Sequence, residues 1–325
     1  MTNILIAIVV ILVIVALVQI TRVSELLAEL RNEDVNEVTD SDNKTQGFLY
    51  LIIGMSFIVF VVWQMIEWNH LLLPDAASVH GAKIDVLMQF TMGMILVVFF
   101  ILTPMLFFFA YRYRGNKENT AYFFAHNNKL ELIWTVIPTI VLTGVIIYGL
   151  KTWDETMNVD TSDAKVIELY SEQFKWTARS SGQDNKLGDS DFRLVTDENA
   201  IGVDMQDKNS LDDKLLREVH LVVDKPVLLK FRSRDVIHSA FLPHFRVQMN
   251  CVPGLITQFA FTPTKTTKQM KKEEGEDFEY VLLCNKICGS AHYNMQMRFI
   301  VETQEEYDSW IATQKTLEQK LLTQN

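Results

Sequence analysis

Four long apolar segments occupy the first 150 residues of this 325-residue chain, and they constrain its fold more than any other feature. They span residues 4–18, 48–66, 86–111 and 132–150. Each is near the length of about 20 residues at which a helix crosses the hydrocarbon core of a bilayer. No comparable run follows residue 150, so the sequence predicts helices in a membrane followed by a domain in water.

Two of these segments have an alternative interpretation. The first could be a cleaved signal peptide. However, no basic residue precedes its apolar run and no small-residue cleavage site follows it, which favours a retained helix. The second could be a buried helix of a soluble domain, but Trp63 and Trp68 near its end are typical of a membrane interface.

The distribution of positive charge predicts the orientation of the helices. Arg112, Arg114, Lys117 and Lys129 follow the third segment, and loops rich in lysine and arginine stay in the cytoplasm. With four spans, the domain that follows residue 151 then faces outward. In a bacterium this is a multi-pass protein of the inner (plasma) membrane with its domain in the periplasm.

The outer domain has the pattern of a β-sandwich. Short runs of β-branched and aromatic residues, separated by turn residues, predict antiparallel strands at 166–170, 217–223, 227–231, 257–262 and 278–283. The segment 180–215 is rich in serine, glycine, aspartate and asparagine, which predicts a long surface excursion. Apolar residues at helical intervals over 304–322 predict an amphipathic C-terminal helix.

An unusual group of soft metal ligands lies near the end of this domain. Cys284, Cys288, His292 and Met295 fall within twelve residues, and a second imidazole is available upstream at His238. Thiolate, imidazole and thioether ligands select copper over hard cations such as magnesium or calcium. The group therefore suggests a thiolate-bridged copper centre that carries single electrons.

Several simpler readings of the two cysteines remain open at this point. They could form a disulfide, because the domain would face an oxidising compartment. Zinc could bind there, although it rarely recruits methionine. A mononuclear copper site would need only one thiolate, and covalent haem attachment requires the spacing Cys-x-x-Cys-His. A second thiolate can bridge two coppers and so spread one charge over two metals.

These residues carry a resemblance to a known family. The stretch from His238 to Met295 resembles the dinuclear copper domain of subunit II of haem-copper cytochrome c oxidases, and residues 131–138 resemble the start of that family's second membrane helix. The resemblance covers roughly residues 86–302. It implies transmembrane helices followed by a cupredoxin-like Greek-key β-barrel, that is, an α-helical membrane anchor plus an all-β domain.

The resemblance also implies how copper is held. Both cysteines would bridge two copper ions, His238 and Met295 would complete one ion, and His292 would complete the other. The last ligand would be the backbone carbonyl of residue 286. The implied ligand set is His238, Cys284, Lys286, Cys288, His292 and Met295.

This chain departs from the family pattern at position 286. Lys286 replaces a glutamate that helps to hold magnesium at the boundary with subunit I, and a protonated lysine cannot coordinate a cation. Nearby family charges are also replaced, by Gln248, Asn250 and Leu255. Magnesium at that boundary is therefore doubtful, and our hypothesis is that the Lys286 ammonium stands in for it.

Four further residues have roles implied by the resemblance. Glu131 matches a glutamate at the mouth of a proton path, although a helix start favours a solvated carboxylate in any case. Phe174 stands where electrons usually enter from cytochrome c, and Asp235 matches a docking carboxylate. Trp176 also matches the electron-entry motif, although its simplest interpretation is a buried core residue. Because Phe174 replaces the usual tryptophan, we expect the donor to dock differently: it is either cytochrome c or, in place of a freely diffusing donor, a tethered cytochrome c domain of a partner complex.

The implied function is that of the subunit through which electrons enter a respiratory cytochrome c oxidase. Electrons would pass from cytochrome c through the copper centre to haem in subunit I, where oxygen is reduced. The alternatives are the copper subunit of a nitric oxide reductase and a non-catalytic, membrane-tethered copper carrier. The outer domain is acidic, with 28 Asp and Glu against 21 Lys and Arg from residue 152 onward, and no nucleic-acid module is present.

The predicted organisation has five parts. Two extra N-terminal helices precede the pair of membrane helices that the family pattern contains, and the copper domain and a terminal helix follow. The boundaries are 1–47 (first extra helix and cytoplasmic loop), 48–85 (second extra helix and outer loop), 86–151 (membrane hairpin), 152–302 (copper domain) and 303–325 (C-terminal helix).

Overall fold

Four long helices form the N-terminal half of the protein. The structure is a computed structural model that describes residues 2–30 and 38–322. Residues 1, 31–37 and 323–325, which belong to the first and last of the five predicted parts, lie outside this description. The helices are α1 (Thr2–Leu30), α2 (Asp40–Glu67), α3 (Val79–Arg112) and α4 (Asn128–Met157). Within the described residues, all four are long and apolar enough to cross a membrane, as the sequence predicts.

Helix α2 shows how local sequence sets a helix boundary and a packing contact. The Thr39 hydroxyl accepts a hydrogen bond from the Asp42 backbone N–H at 3.2 Å, and the Asp42 carboxylate accepts one from the Thr39 N–H at 3.0 Å. This reciprocal cap satisfies two N–H groups that a helix start leaves free. Farther along, Gly54 lies directly under the ring of Phe107, where an added Cβ would be 2.1 Å from Cγ.

The described chain forms two compact units. One contains residues up to 69 together with 95–128, and the other contains 70–94 together with 129–325. Residues 70–85, which the sequence groups with the second extra helix, thus belong to the same unit as the β domain. Helix α3 contributes residues to both units.

The β domain is a sandwich of two five-stranded sheets. The first sheet has the strand order β3-β2-β1-β5-β8, and the second has the order β4-β10-β9-β6-β7. The strands are β1 (Lys165–Glu172), β2 (Lys175–Ser180), β3 (Lys214–Leu216), β4 (Val219–Val222), β5 (Val227–Ser233), β6 (His238–Leu242), β7 (Val247–Cys251), β8 (Thr257–Phe261), β9 (Tyr280–Cys284) and β10 (Gln296–Glu302).

The strand pairing is mixed rather than purely antiparallel. β1 runs parallel to β5, and β4 runs parallel to β10, whereas the remaining pairs are antiparallel. Hydrophobic patterning predicts five of the ten strands. It misses strands such as β6 and β7, because polar residues such as His238, Ser239, Gln248 and Asn250 interrupt the apolar alternation.

Three helices complete this domain: α5 (Thr267–Glu274), α6 (Gln304–Thr313) and α7 (Leu317–Leu322). The stretch predicted as a single C-terminal helix is therefore divided between α6 and α7.

The segment 182–213, which we call the excursion, is more buried than its composition indicates. Its Ile201 and Val203 form a small second core with Tyr170 and Leu317.

The residues that lead into α3, together with its first turns, pack against the sandwich. Ala77 is fully buried in the main core. Its N–H donates to the His244 carbonyl at 2.7 Å, and its carbonyl accepts from the Thr264 N–H at 2.8 Å. Arg246 fixes the end of this segment, because its guanidinium binds both carboxylate oxygens of Asp85 at 2.8 and 2.9 Å. We call residues 74–85 the strap.

A cluster of buried charges lies on β1, β2 and β5 and in the adjacent excursion. The guanidinium of Arg179, which is 1% exposed, donates to Glu168 at 2.9 Å and to Asp213 at 3.2 Å. Arg232 donates to the other oxygen of Glu168 at 3.2 Å and to Ser190 at 2.6 Å. We call Glu168, Arg179, Asp213 and Arg232 the arginine cluster.

Candidate metal centre

Two strands of the second sheet bring the soft ligands together. His238 is the first residue of β6 and Cys284 is the last residue of β9, and these strands pair with Ala240 opposite Cys284. The sheet register thus places residues 46 positions apart in one cluster. The loop after β9 then carries Cys288, and it returns to β10 directly after Met295.

The donor atoms converge around the two thiols. Cys284 Sγ lies 3.8 Å from Cys288 Sγ, 3.8 Å from His238 Nδ1 and 3.3 Å from the carbonyl oxygen of Lys286. Cys288 Sγ lies 3.6 Å from His292 Nδ1 and 3.9 Å from Met295 Sδ. All six predicted ligand residues therefore point a donor atom at one of the two sulfurs.

These distances suit a metal ion better than a disulfide. A disulfide needs its sulfurs about 2.05 Å apart, and the three cysteines of this chain are free. At a thiolate bond length of about 2.3 Å, the value for zinc, one ion can reach both sulfurs across the 3.8 Å gap. Among the described residues, His238, Cys284 and Cys288 form the single group of three or more residues whose His, Cys or carboxylate donor atoms all lie within 4.8 Å of one another.

Burial affects the protonation of the Cys288 thiol. Burial, together with the neighbouring Cys284 thiol, raises the pKa of Cys288 to about 11. Such a thiol is a poor nucleophile, because the thiolate is the reactive form. A metal ion must therefore displace a proton on binding, which couples metal affinity to pH.

His238 is oriented by a carboxylate on its far side. Its ring is fully buried, and Nε2 lies 2.8 Å from Asp235 Oδ1, which leaves Nδ1 directed at Cys284. Burial alone would raise the pKa of Asp235, but hydrogen bonds from His238 and from the N–H groups of Gln173 and Val236 lower it. An ionised carboxylate at this place fixes the imidazole tautomer that can donate Nδ1 to a metal.

The predicted entry residues occupy different depths. Trp176 is 6% exposed, its ring centroid is 6.3 Å from that of His238, and its indole N–H points at the Met295 carbonyl at 3.5 Å. Phe174 is half-buried, and its ring covers Gly289. Trp176 is therefore a core residue in contact with the ligand strands, as its simplest interpretation holds, while Phe174 lies nearer the surface.

Glu131 and the side chain of Lys286 lie apart from this cluster. Glu131 is in the first turn of α4 and is half-buried. The Lys286 side chain is exposed on the copper loop, which we define as residues 285–295, while its carbonyl faces Cys284. The proton-path role of Glu131 and the cation role of Lys286 stay predictions.

Sequence reasoning missed two features that bear on the site. The Gln173 side chain donates a short hydrogen bond to the Cys288 carbonyl, joining the β1–β2 turn to the copper loop. The strap was also not predicted. Arg246 and Asp85 carry opposite charges, but they lie 161 positions apart, so the sequence gives no local signal that they form a pair.

Comparison with known proteins identifies the family. The transmembrane domain of cytochrome c oxidase subunit II matches residues 63–152, and the periplasmic domain of that subunit matches residues 167–304. The alternative cytochrome c oxidase subunit 2 of Bradyrhizobium diazoefficiens is 32% identical over 222 residues, which are 67% of this chain and 76% of that protein. Cytochrome c oxidase subunit 2 of Synechocystis sp. is 24% identical over 286 residues, or 81% of each chain.

A solved structure, the periplasmic domain of subunit II of cytochrome oxidase from Bradyrhizobium japonicum, aligns with a TM-score of 0.31 and 22% identity. The alignment covers 47% of this chain and 94% of that chain.

The apolar helices, the β-sandwich and the cluster of soft metal ligands define a membrane-anchored protein whose periplasmic domain is a β-sandwich with a candidate metal centre. Within that class, the chain belongs to the family of cytochrome c oxidase subunit II. The fold and the family predicted from the sequence are thereby confirmed.

Proposed function

We propose that this chain is the subunit through which electrons enter a cytochrome c oxidase, and that it does so through a dinuclear copper centre. The observation that carries the proposal is the convergence of six donors. The two thiol sulfurs lie near each other, and two imidazole Nδ1 atoms, a thioether sulfur and a carbonyl oxygen each lie near one of them, at distances of 3.3 to 3.9 Å. Six donors, two of them thiols, exceed the two histidines, one thiolate and weak methionine that a mononuclear copper site uses.

Two coppers held by Cys284, Cys288 and the other donors would supply a one-electron couple whose charge is shared by two ions. The chain's own residues keep this site rigid. Cys284 ends a strand, His238 begins one, and Met295 immediately precedes another, so their backbones are fixed by the sheet. Met295 and Cys288 are 1% and 5% exposed, which excludes water from the sulfur atoms.

The partners follow from the same proposal. Electrons would come from cytochrome c, or from a tethered cytochrome c domain, through the side of the loop covered by Phe174. They would leave towards haem in subunit I, where oxygen is reduced, in a bacterial inner membrane. The exposed side chains of Ile287 and Tyr293, at 88% and 87%, give the copper loop an apolar surface for such contacts.

Copper analysis of the full-length chain in detergent tests this function. The full chain is used because the strap contributes Ala77 to the core, which a fragment beginning at Thr152 would lack. We expect two coppers per chain and an electron paramagnetic resonance spectrum of one unpaired electron shared equally between them. Cys288→Ser should abolish this spectrum, because one bridging thiolate is lost.

The third cysteine provides a matched control. Cys251 is fully buried opposite His238 in the β6–β7 register, and burial raises the pKa of its thiol to about 12. Cys251→Ala should therefore keep both coppers. A single loosely held copper in the parent chain, or a Cys284–Cys288 disulfide that resists metallation after mild reduction, would refute the proposal and favour a carrier.

Stoichiometric magnesium or manganese at the subunit I boundary of the purified oxidase would refute the role of Lys286.

A further inference from the structure

The turn between β1 and β2 contacts the metal centre on two sides, near His238 and near Cys288. Gln173 and Phe174 form the middle of this turn, which belongs to the first sheet. The ligands, in contrast, lie on strands and a loop of the second sheet. Contacts of this turn therefore join the two sheets at the place where the donor atoms converge.

The backbone of Gln173 contacts the histidine side of the centre. Its N–H donates to Asp235 Oδ2 at 2.7 Å, while the other oxygen of Asp235 faces His238 Nε2 at 2.8 Å. Asp235 also accepts from the Val236 N–H at 2.7 Å. The carboxylate that orients His238 is thus itself oriented by two backbone groups.

The side chain of Gln173 contacts the cysteine side of the centre. Its amide nitrogen donates to the carbonyl of Cys288. The next residue, Phe174, lies against Gly289, where an added Cβ would be 2.7 Å from the ring and 2.9 Å from the Gln173 amide nitrogen. Gly289 also has φ of +145°, a conformation that favours glycine.

We propose that Gln173 is a positioning residue that clamps Cys288 and His238 in one geometry. One residue reaches both ligand segments, through its backbone to Asp235 and through its amide to the Cys288 carbonyl. The inference rests on the proposed copper function, but the clamp acts on the protein itself. It therefore restrains the copper loop with or without metal.

Two substitutions remove the side-chain contact and leave the backbone contact intact. Gln173→Leu deletes the donor, and Gln173→Glu keeps the shape but replaces the N–H donor with an oxygen acceptor facing the carbonyl. Gln173 is exposed, so either variant keeps the core of the fold. Gln206→Leu, at an exposed glutamine of the excursion, is the matched control.

The first measurement is backbone hydrogen exchange of residues 284–295 in the metal-free, full-length chain. We expect exchange in both Gln173 variants to be faster by at least about threefold, because a hydrogen bond that restrains the loop is lost. The Gln206 variant should match the parent. Equal exchange in the parent and both Gln173 variants would overturn the clamp.

The second measurement uses the copper-loaded chain. Removal of copper by a chelator should be about 10-fold faster in the Gln173 variants, because loss of an orienting contact behind a metal ligand typically lowers metal affinity about 10–100-fold. The copper hyperfine pattern should also change, which a purely structural role far from the ligands would not cause. An unchanged pattern and release rate would overturn the proposal. If the parent chain binds no copper, the proposed function fails, while the metal-free exchange still decides the clamp.

Discussion

The β domain contains two buried polar clusters that differ in how their polar groups are paired. In the arginine cluster, two guanidiniums donate hydrogen bonds to two carboxyl groups at 2.9 to 3.2 Å. In the metal centre, the sulfur and nitrogen atoms lie 3.6 to 3.9 Å apart, and the thiols are weak hydrogen-bond donors. The first cluster pairs its groups with one another, although Asp213 Oδ1 has no hydrogen-bond partner among the described residues. The second cluster presents a set of donor atoms that suits a metal ion.

This difference separates stability from function. Charges buried in a network cannot lose one member without leaving another unpaired in a medium of low dielectric constant. Neutral thiols, a thioether and an imidazole are tolerated in a core without metal. We therefore expect substitutions in the arginine cluster to affect folding, and substitutions of the metal ligands to affect copper.

Arg179→Met should produce the largest effect on stability. It leaves Glu168 and Asp213, which are 3% and 0% exposed, without their central cation. Removal of one partner from a buried ion pair typically costs about 3–5 kcal/mol. The free energy of unfolding from chemical denaturation should fall by that amount, while the molecules that remain folded keep their copper.

Arg193→Met is the control for this change. The Arg193 side chain is 76% exposed, so its loss should alter the free energy of unfolding by less than about 0.5 kcal/mol. If Arg179→Met instead lost copper at unchanged stability, the separation between the two clusters would be wrong.

Asp213 should make the free energy of unfolding depend on pH, with an effect smaller than that of Arg179→Met. Burial raises the pKa of Asp213 from its ordinary value to about 7, against the opposing effect of Arg179. The folded protein then keeps a proton that the unfolded chain loses near pH 4. Between pH 4 and 7 the native state binds more protons, so this group's contribution to stability falls as pH rises.

Asp213→Asn should remove that slope. Because one pKa unit corresponds to about 1.4 kcal/mol, we expect the parent to lose about 1–2 kcal/mol relative to the variant between pH 5 and 7. Denaturation curves measured at several pH values check this. Parallel stability profiles for parent and variant would show that Arg179 keeps Asp213 ionised throughout that range.

The same contrast between the two clusters explains how much can be predicted from the sequence. The metal centre is predictable because Cys284, Cys288, His292 and Met295 are rare residue types within twelve positions. The membrane helices are predictable because apolar runs of that length are rare outside membrane-spanning helices. Both signals are local, so neither requires knowledge of which strands pair.

The arginine cluster and the strap could not be predicted in this way. Glu168, Arg179 and Asp213 are common residue types at separations of 11 and 34 positions, and only the sheet register brings them together. The excursion has the composition of a surface loop, yet it buries Ile201 and Val203 against Tyr170. Composition reports the average residue of a segment, whereas burial here depends on a few side chains.

Ser210→Ala should have the smallest effect, and it tests where the arginine cluster ends. The Ser210 hydroxyl is fully buried and has no hydrogen-bond partner among the described residues, and the Gly188 next to it donates its N–H to Asp213 at 3.1 Å. Removing an unpaired hydroxyl should change stability by less than about 0.5 kcal/mol or increase it. In contrast, Ser78→Ala in the strap removes a 2.7 Å bond to the Phe245 carbonyl and should cost about 1 kcal/mol. Equal losses in thermal or chemical denaturation would place the Ser210 hydroxyl within the arginine network, since only a hydrogen-bonded hydroxyl contributes that amount.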